Sequence, residues 1–136
     1  MIAYIVASHG ELAESILKSS FMIFGAQEKI VAVNFQPGED PEKLMQDYQK
    51  ALAGFSKQDQ VVLLVDLYGG TPFNVATQIV SEHAENMALL AGLNLPMLVE
   101  AYTVRDRTLS EVVMHLEATA KAGVRHLEIQ DDGDGR

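Results

Sequence analysis

Short apolar runs alternate along this chain with stretches whose apolar residues recur at helical spacing. Val61 to Val65, VVLLV, is unbroken and rich in β-branched residues, with no polar position between. A strand reads this way when both of its faces are covered, as in the middle of a parallel sheet. Met1 to Ala7, MIAYIVA, is a run of the same kind, and Ile30 to Phe35 and Met87 to Ala91 supply two more. Between them, Glu11 to Phe24 carries Leu12, Ile16 and Leu17 on one face, extended by Phe21 and Phe24. Leu44, Tyr48, Leu52 and Phe55 keep the same period after Asp40-Pro41, which fits an N-cap and a first helical residue.

Further helices are expected from Pro72 to near His83, from Leu95 or Pro96 to about Val104, and from the capping-box match Thr108–Glu111 to near Gly123. Ser8 with Glu11 fits the same box ahead of the first helix, and Gly25 suits its stop. Arg105-Asp106-Arg107 reads as a solvated link, and Met22, Met45, Met87, Met97 and Met114 as core. Val124 to Ile129 is a short last strand, and 130–136 a polar, frayed tail, which leaves 1–129 as one domain.

Strict alternation of strand and helix implies βαβ units: an α/β, three-layer doubly wound sheet with helices on both faces. With the common order 2-1-3-4 for the four main strands, strands 1 and 3 flank the switch point, where open sheets bind ligands outside the strands' carboxyl ends. His9 follows strand 1 and Asp66 ends strand 3. After Asp66, Gly69-Gly70-Thr71-Pro72 reads as a helix start, with Thr71 as N-cap and Pro72 at the first helical position. The order therefore brings His9, Asp66 and a helix N-terminus with free N–H groups to one crevice, a place for phosphate or another anion.

Composition narrows what that crevice serves. With 136 residues and 48% hydrophobic content, the chain suits one domain with a sizeable core. The net charge of −9 argues against nucleic acid and anionic membranes and suits a basic protein partner, although a solvated acidic surface explains it equally. There is no cysteine, which removes disulfides and thiolate metal sites. No apolar run approaches the ~20 residues of a membrane span, and no basic region precedes the first one, so a cytosolic protein is expected.

A histidine beside an aspartate can serve as a general base, bind metal or attack phosphorus. Ser8 adjoins His9, but no G-x-S-x-G elbow is present. His83, His115 and His126 stand elsewhere, so no metal site is expected. That leaves His9 as a nucleophile, with Asp66 holding its other ring N–H and fixing the tautomer. The Thr71 hydroxyl and the N–H groups around Gly70 to Phe73 then hold the phosphoryl oxygens. No Walker A sequence is present, so the group would come from another protein and no cofactor is expected. The competing readings are a loop histidine at a strand end for His9, and a turn-capping acid for Asp66. Tyr68, Phe73 and Leu93 are candidates for docking partners near the crevice.

IVASHGELA near the N-terminus, paired with VDLYGGTPFN in mid-chain, resembles the mannose-family IIA component of the bacterial phosphoenolpyruvate-dependent sugar phosphotransferase system. FQPGED and GLNLPMLVEA extend the resemblance to about Met1–Ile129. It implies a phosphocarrier that accepts a phosphoryl group from phospho-HPr on His9 and passes it to a IIB component. Asp66 would be the orienting acid and the Thr71 hydroxyl a phosphate contact, which agrees with the phosphate-binding turn of Gly70, Thr71, Pro72 and Phe73 read above from the residues. It also implies that the last strand, Val124–Ile129, is antiparallel and exchanged in a homodimer, and that the membrane is involved only through IIC and IID. With no linker to a IIB domain in sight, it implies a free-standing IIA protein or a piece of a longer one. The alternatives are the phosphocarrier subunit of a dihydroxyacetone kinase, whose turn lacks GGTPFN, and a regulatory IIA-like domain from a transcription activator. A hydrolase using Ser8 is a third.

Overall fold

A computed structural model describes residues 1–130. The chain runs β1 (Ile2–His9), α1 (Leu12–Phe24), β2 (Ile30–Phe35), α2 (Pro41–Ala53), β3 (Gln60–Val65), α3 (Thr71–Glu82), β4 (Met87–Ala91), α4 (Leu95–Ala101) and α5 (Leu109–Ala122). The four strands form one sheet in the order β2-β1-β3-β4, and every pairing is parallel. This is the expected doubly wound arrangement.

The unbroken apolar runs are explained by the two layers of helix. Alternate residues of β1 and β3 point to opposite faces. Tyr4, Val6, Val62 and Leu64 pack with Ala13, Leu98, Val112 and Leu116, so α1, α4 and α5 cover one face. Ala3, Ile5, Leu63 and Val65 pack with Leu44, Tyr48, Val75 and Ile79, so α2 and α3 cover the other. Neither central strand has a solvent face, and neither can afford a polar alternation.

Local capping follows the sequence in some places and departs from it in others. Asp40 caps α2 by accepting from the Lys43 N–H at 2.9 Å, and Thr108 and Glu111 form the reciprocal capping box of α5. Asn94 caps α4 through the Met97 N–H. The start of α1 differs from expectation. β1 continues to His9, which pairs with Phe35, and Gly10 turns the chain at φ 59°. The helix therefore begins later, with Glu11 at the cap position and Ser8 still inside the strand. The Ser8 hydroxyl nevertheless accepts from the Ala13 N–H at 2.6 Å, satisfying one of the helix's free donors from below.

Three other expectations change. α4 stops at Ala101, short of Val104, and the chain turns back toward β1, where the Arg105 carbonyl accepts from the Ile2 N–H at 3.0 Å. Arg105 is no solvated link: it is buried, donating to the carbonyls of Ile2, Glu28 and Lys29, with its guanidinium 5.4 Å from the Tyr4 ring centroid. A buried guanidinium is tolerable because carbonyls saturate its fork. Met97 is core, whereas Met22 is 89% and Met114 70% exposed, since both fall on the outward sides of their helices.

The last strand expected over Val124–Ile129 forms no ladder within the chain; residues 124–130 carry no regular structure, and Val124, Leu127 and Ile129 are exposed. Of the expected tail, residues 131–136 lie outside the described residues.

Candidate functional site

The carboxyl ends of β1 and β3 meet at the switch point, and they bring His9 and Asp66 together across 57 positions of sequence. One carboxylate oxygen, Asp66 Oδ2, accepts twice from the same residue: from the His9 backbone N–H at 3.0 Å and from ring Nδ1 at 2.9 Å. A carboxylate can only accept, so Nδ1 carries a proton, and in the neutral imidazole the lone pair sits on Nε2. The backbone bond holds the residue while the ring bond sets its rotation. The His9 side chain remains 44% exposed and Asp66 only 13%, so the acid is shielded while the histidine meets solvent. Asp66 Oδ1 is buried without a hydrogen-bond partner among the described residues. Phe35 meets the His9 ring edge-on, with centroids 6.2 Å apart.

The Gly69–Phe73 turn closes the other side. Gly69 takes φ 83°, which favours glycine, and Gly70 is the residue before α3. Thr71 is therefore the first helical residue rather than the N-cap, and Pro72 the second. The helix begins one residue early because Gly70 is already extended and its carbonyl accepts from the Asn74 N–H at 2.8 Å. No side chain caps this helix start. The Gly70 N–H is spent on the Leu67 carbonyl at 3.2 Å, and Pro72 has none to give. Of the expected donors, Thr71 and Phe73 thus keep N–H groups available for an anion. Gly70 has a different use: a Cβ there would sit 2.7 Å from His9 Cε1 and 3.3 Å from Nε2. The imidazole rests against glycine backbone.

The remaining candidates lie apart. Ser8 is fully buried with its hydroxyl engaged, which removes it as a nucleophile. His83 ends α3, His115 lies on α5 with Nε2 3.7 Å from Glu100, and His126 is exposed beyond α5. Tyr68 is exposed and its ring centroid lies 4.4 Å from that of Phe73, while Leu93 is half-buried. Beside the site, a cleft of about 720 Å³ runs from Asp66 and Tyr68 past Val80 and Leu89 to Lys121 and Val124. His9 does not line it. Sequence reasoning did not find Tyr48 as part of this region: it is fully buried on α2, and its hydroxyl donates to the Pro72 carbonyl at 2.8 Å. Its spacing marked it as core, and nothing in the sequence marks where a buried hydroxyl points.

On this doubly wound sheet, a histidine oriented through Nδ1 and a shielded acid stand beside a helix start that has no side-chain cap. Residues 3–117 match the EIIA-man family model, described as "PTS system fructose IIA component", and the chain belongs to this family. It is 39% identical over 93% of its length to the PTS system mannose-specific EIIAB component of Escherichia coli strain K12, of which it spans 40%. It is 35% identical to the PTS system fructose-specific EIIA component of Bacillus subtilis, covering 94% of this chain and 90% of that protein. The crystal structure of phosphotransferase system component EIIA from Streptococcus agalactiae superposes with a TM-score of 0.84 at 32% identity, covering 93% of this chain and 97% of that one. No helix among the described residues is long and apolar enough to cross a membrane.

Proposed function

We propose that the chain is a cytoplasmic phosphocarrier of sugar uptake, accepting a phosphoryl group from phospho-HPr on His9 and passing it to a IIB component. The observation that carries the reading is the double acceptance by Asp66 Oδ2, which engages Nδ1 of a half-exposed His9 and makes Nε2 the nitrogen that carries the lone pair in the neutral ring. In the first step the Nε2 lone pair attacks phosphorus, the nitrogen–phosphorus bond forms, and the bond from phosphorus to the donor protein breaks. The proton stays on Nδ1, where Asp66 stabilises the substituted ring. The N–H groups of Thr71 and Phe73 and the Thr71 hydroxyl meet the phosphoryl oxygens, and the α3 N-terminus adds its partial positive charge. Pro72 presets the first turn, and Gly70 gives the imidazole room. The second step reverses the chemistry toward the IIB protein. The membrane enters only through IIC and IID components, and no cofactor is needed because the donor protein carries the activated group.

Residues 1–129 act as one IIA domain in this reading. It works as a homodimer in which Val124–Ile129 crosses to a second copy. β4 ends the sheet with an unpaired edge, the 720 Å³ cleft runs beside it, and Val124 lines that cleft. An exposed edge is commonly covered by such an exchange. Sedimentation of the protein at micromolar concentration tests this: a dimer that reverts to monomer on deletion beyond Gly123 is expected, and an intact monomer would contradict it. The carrier role itself is tested by incubation with phosphoenolpyruvate, enzyme I and HPr followed by intact mass. One added phosphoryl group is expected on the unsubstituted protein, and none on His9→Ala.

A further inference from the structure

Tyr48 stands on α2, and its hydroxyl reaches the helix that faces His9. The O–H donates to the Pro72 carbonyl at 2.8 Å. That carbonyl and the Phe73 N–H belong to one peptide unit. Hydrogen bonding to a peptide oxygen draws charge along the amide and makes its N–H a stronger donor. Donors are scarce here, because the Gly70 N–H is already bonded to the Leu67 carbonyl and Pro72 has none. Phe73 is therefore one of two backbone groups left to serve an anion, and the one whose peptide Tyr48 holds.

We propose that Tyr48 is a positioning residue for phosphoryl transfer, its hydroxyl fixing and strengthening the Phe73 N–H as a donor to the phosphoryl group on His9. The inference rests on the phosphohistidine reading above. Tyr48 is suited to permanent donation. Burial first, and then the nearby Asp66 carboxylate, push its phenol well above the ordinary tyrosine range, so the proton stays on at any working pH. Its side chain is fully buried among Leu44, Leu63, Val75 and Ile79, which leaves it no access to a partner protein. The effect must pass through the peptide.

Tyr48→Phe keeps the ring and removes only the hydroxyl. Amide proton–nitrogen spectra are recorded before and after phosphorylation by phosphoenolpyruvate, enzyme I and HPr. In the unsubstituted protein the Phe73 amide proton should move downfield on phosphorylation. In Tyr48→Phe that displacement should shrink while the displacement at Thr71 persists, and transfer from phospho-HPr should slow about two- to fivefold. Equal Phe73 displacements in the two proteins would overturn the inference. So would losses shared alike by Thr71 and Phe73, because a hydroxyl that merely braces α2 against α3 moves both. A Phe73 amide that ignores phosphorylation in the unsubstituted protein would overturn it without any variant. Absence of the label from the unsubstituted protein would instead overturn the phosphohistidine reading itself, and this inference with it.

Discussion

Gly70→Ala adds one methyl group at the point where the structure has no room for it. Backbone strain does not enter, since Gly70 sits at φ −77° and ψ 172°, which any residue adopts. The methyl carbon would lie 2.7 Å from His9 Cε1, roughly 1 Å closer than the ~3.5–4.0 Å of an ordinary carbon contact. One of the two groups must give way, and the half-exposed imidazole moves more easily than the turn. A ring displaced by that amount loses the 2.9 Å bond from Nδ1 to Asp66. A hydrogen bond to a charged partner contributes about 1.5–3 kcal/mol, or roughly 10- to 100-fold in rate. Misplacement of a nucleophile by about 1 Å costs a comparable factor. Stability should change by less than about 1 kcal/mol, because the weaker capping of alanine is offset by its smaller unfolded-state entropy. Rapid-quench transfer from phospho-HPr, with thermal melts on the same samples, reads both quantities. The expected result is a native-like melt with transfer slowed 10- to 100-fold, about the factor estimated above. Transfer within about twofold of the unsubstituted protein would refute the close approach of His9 to this glycine.

Two other substitutions separate chemistry from scaffold. Asp66→Asn keeps the shape of the acid and an oxygen for the His9 N–H groups, so transfer should fall by a partial, roughly 10- to 100-fold factor in the quench assay. A folded Asp66→Asn protein at the unsubstituted rate would mean the acid only caps its turn. Arg105→Met removes three hydrogen bonds that the guanidinium now gives to carbonyls at 2.7–3.0 Å, and should lower stability by roughly 3 kcal/mol and the melting temperature by roughly 10 °C. Because Arg105 binds Ile2, at the end of β1 opposite His9, the folded fraction should still accept label normally.

The two-sided sheet was legible because β1 and β3 are apolar on both faces, which a covering of helix on each side explains; the order 2-1-3-4 is the common doubly wound one, which the apolar runs alone do not fix. Once that order stood, His9 and Asp66 had to approach, whatever their separation in sequence. The tautomer was legible only as a choice between two nitrogens; the 2.9 Å contact to Nδ1 assigns the lone pair to Nε2. What remained hidden depends on directions that spacing does not carry. Arg105 looked solvated because its charge is visible in sequence and the carbonyls of Ile2, Glu28 and Lys29 that receive it are not. Gly70 looked like an N–H donor, yet its hydrogen bond goes to Leu67 and its missing side chain is what matters. Ser8 looked like a cap at helix distance, and the longer strand made it a buried acceptor instead.

The claim on which everything else depends is that His9 carries the phosphoryl group through Nε2. Phosphorus–proton and nitrogen correlation spectra on the HPr-phosphorylated protein, paired with intact mass of His9→Ala, test it most directly. One acid-labile phosphoryl group coupled to Nε2 of His9, absent from His9→Ala and retained when His83, His115 or His126 is replaced, is the expected result. Label persisting on a folded His9→Ala protein, or phosphorus coupled to Nδ1, would contradict the account.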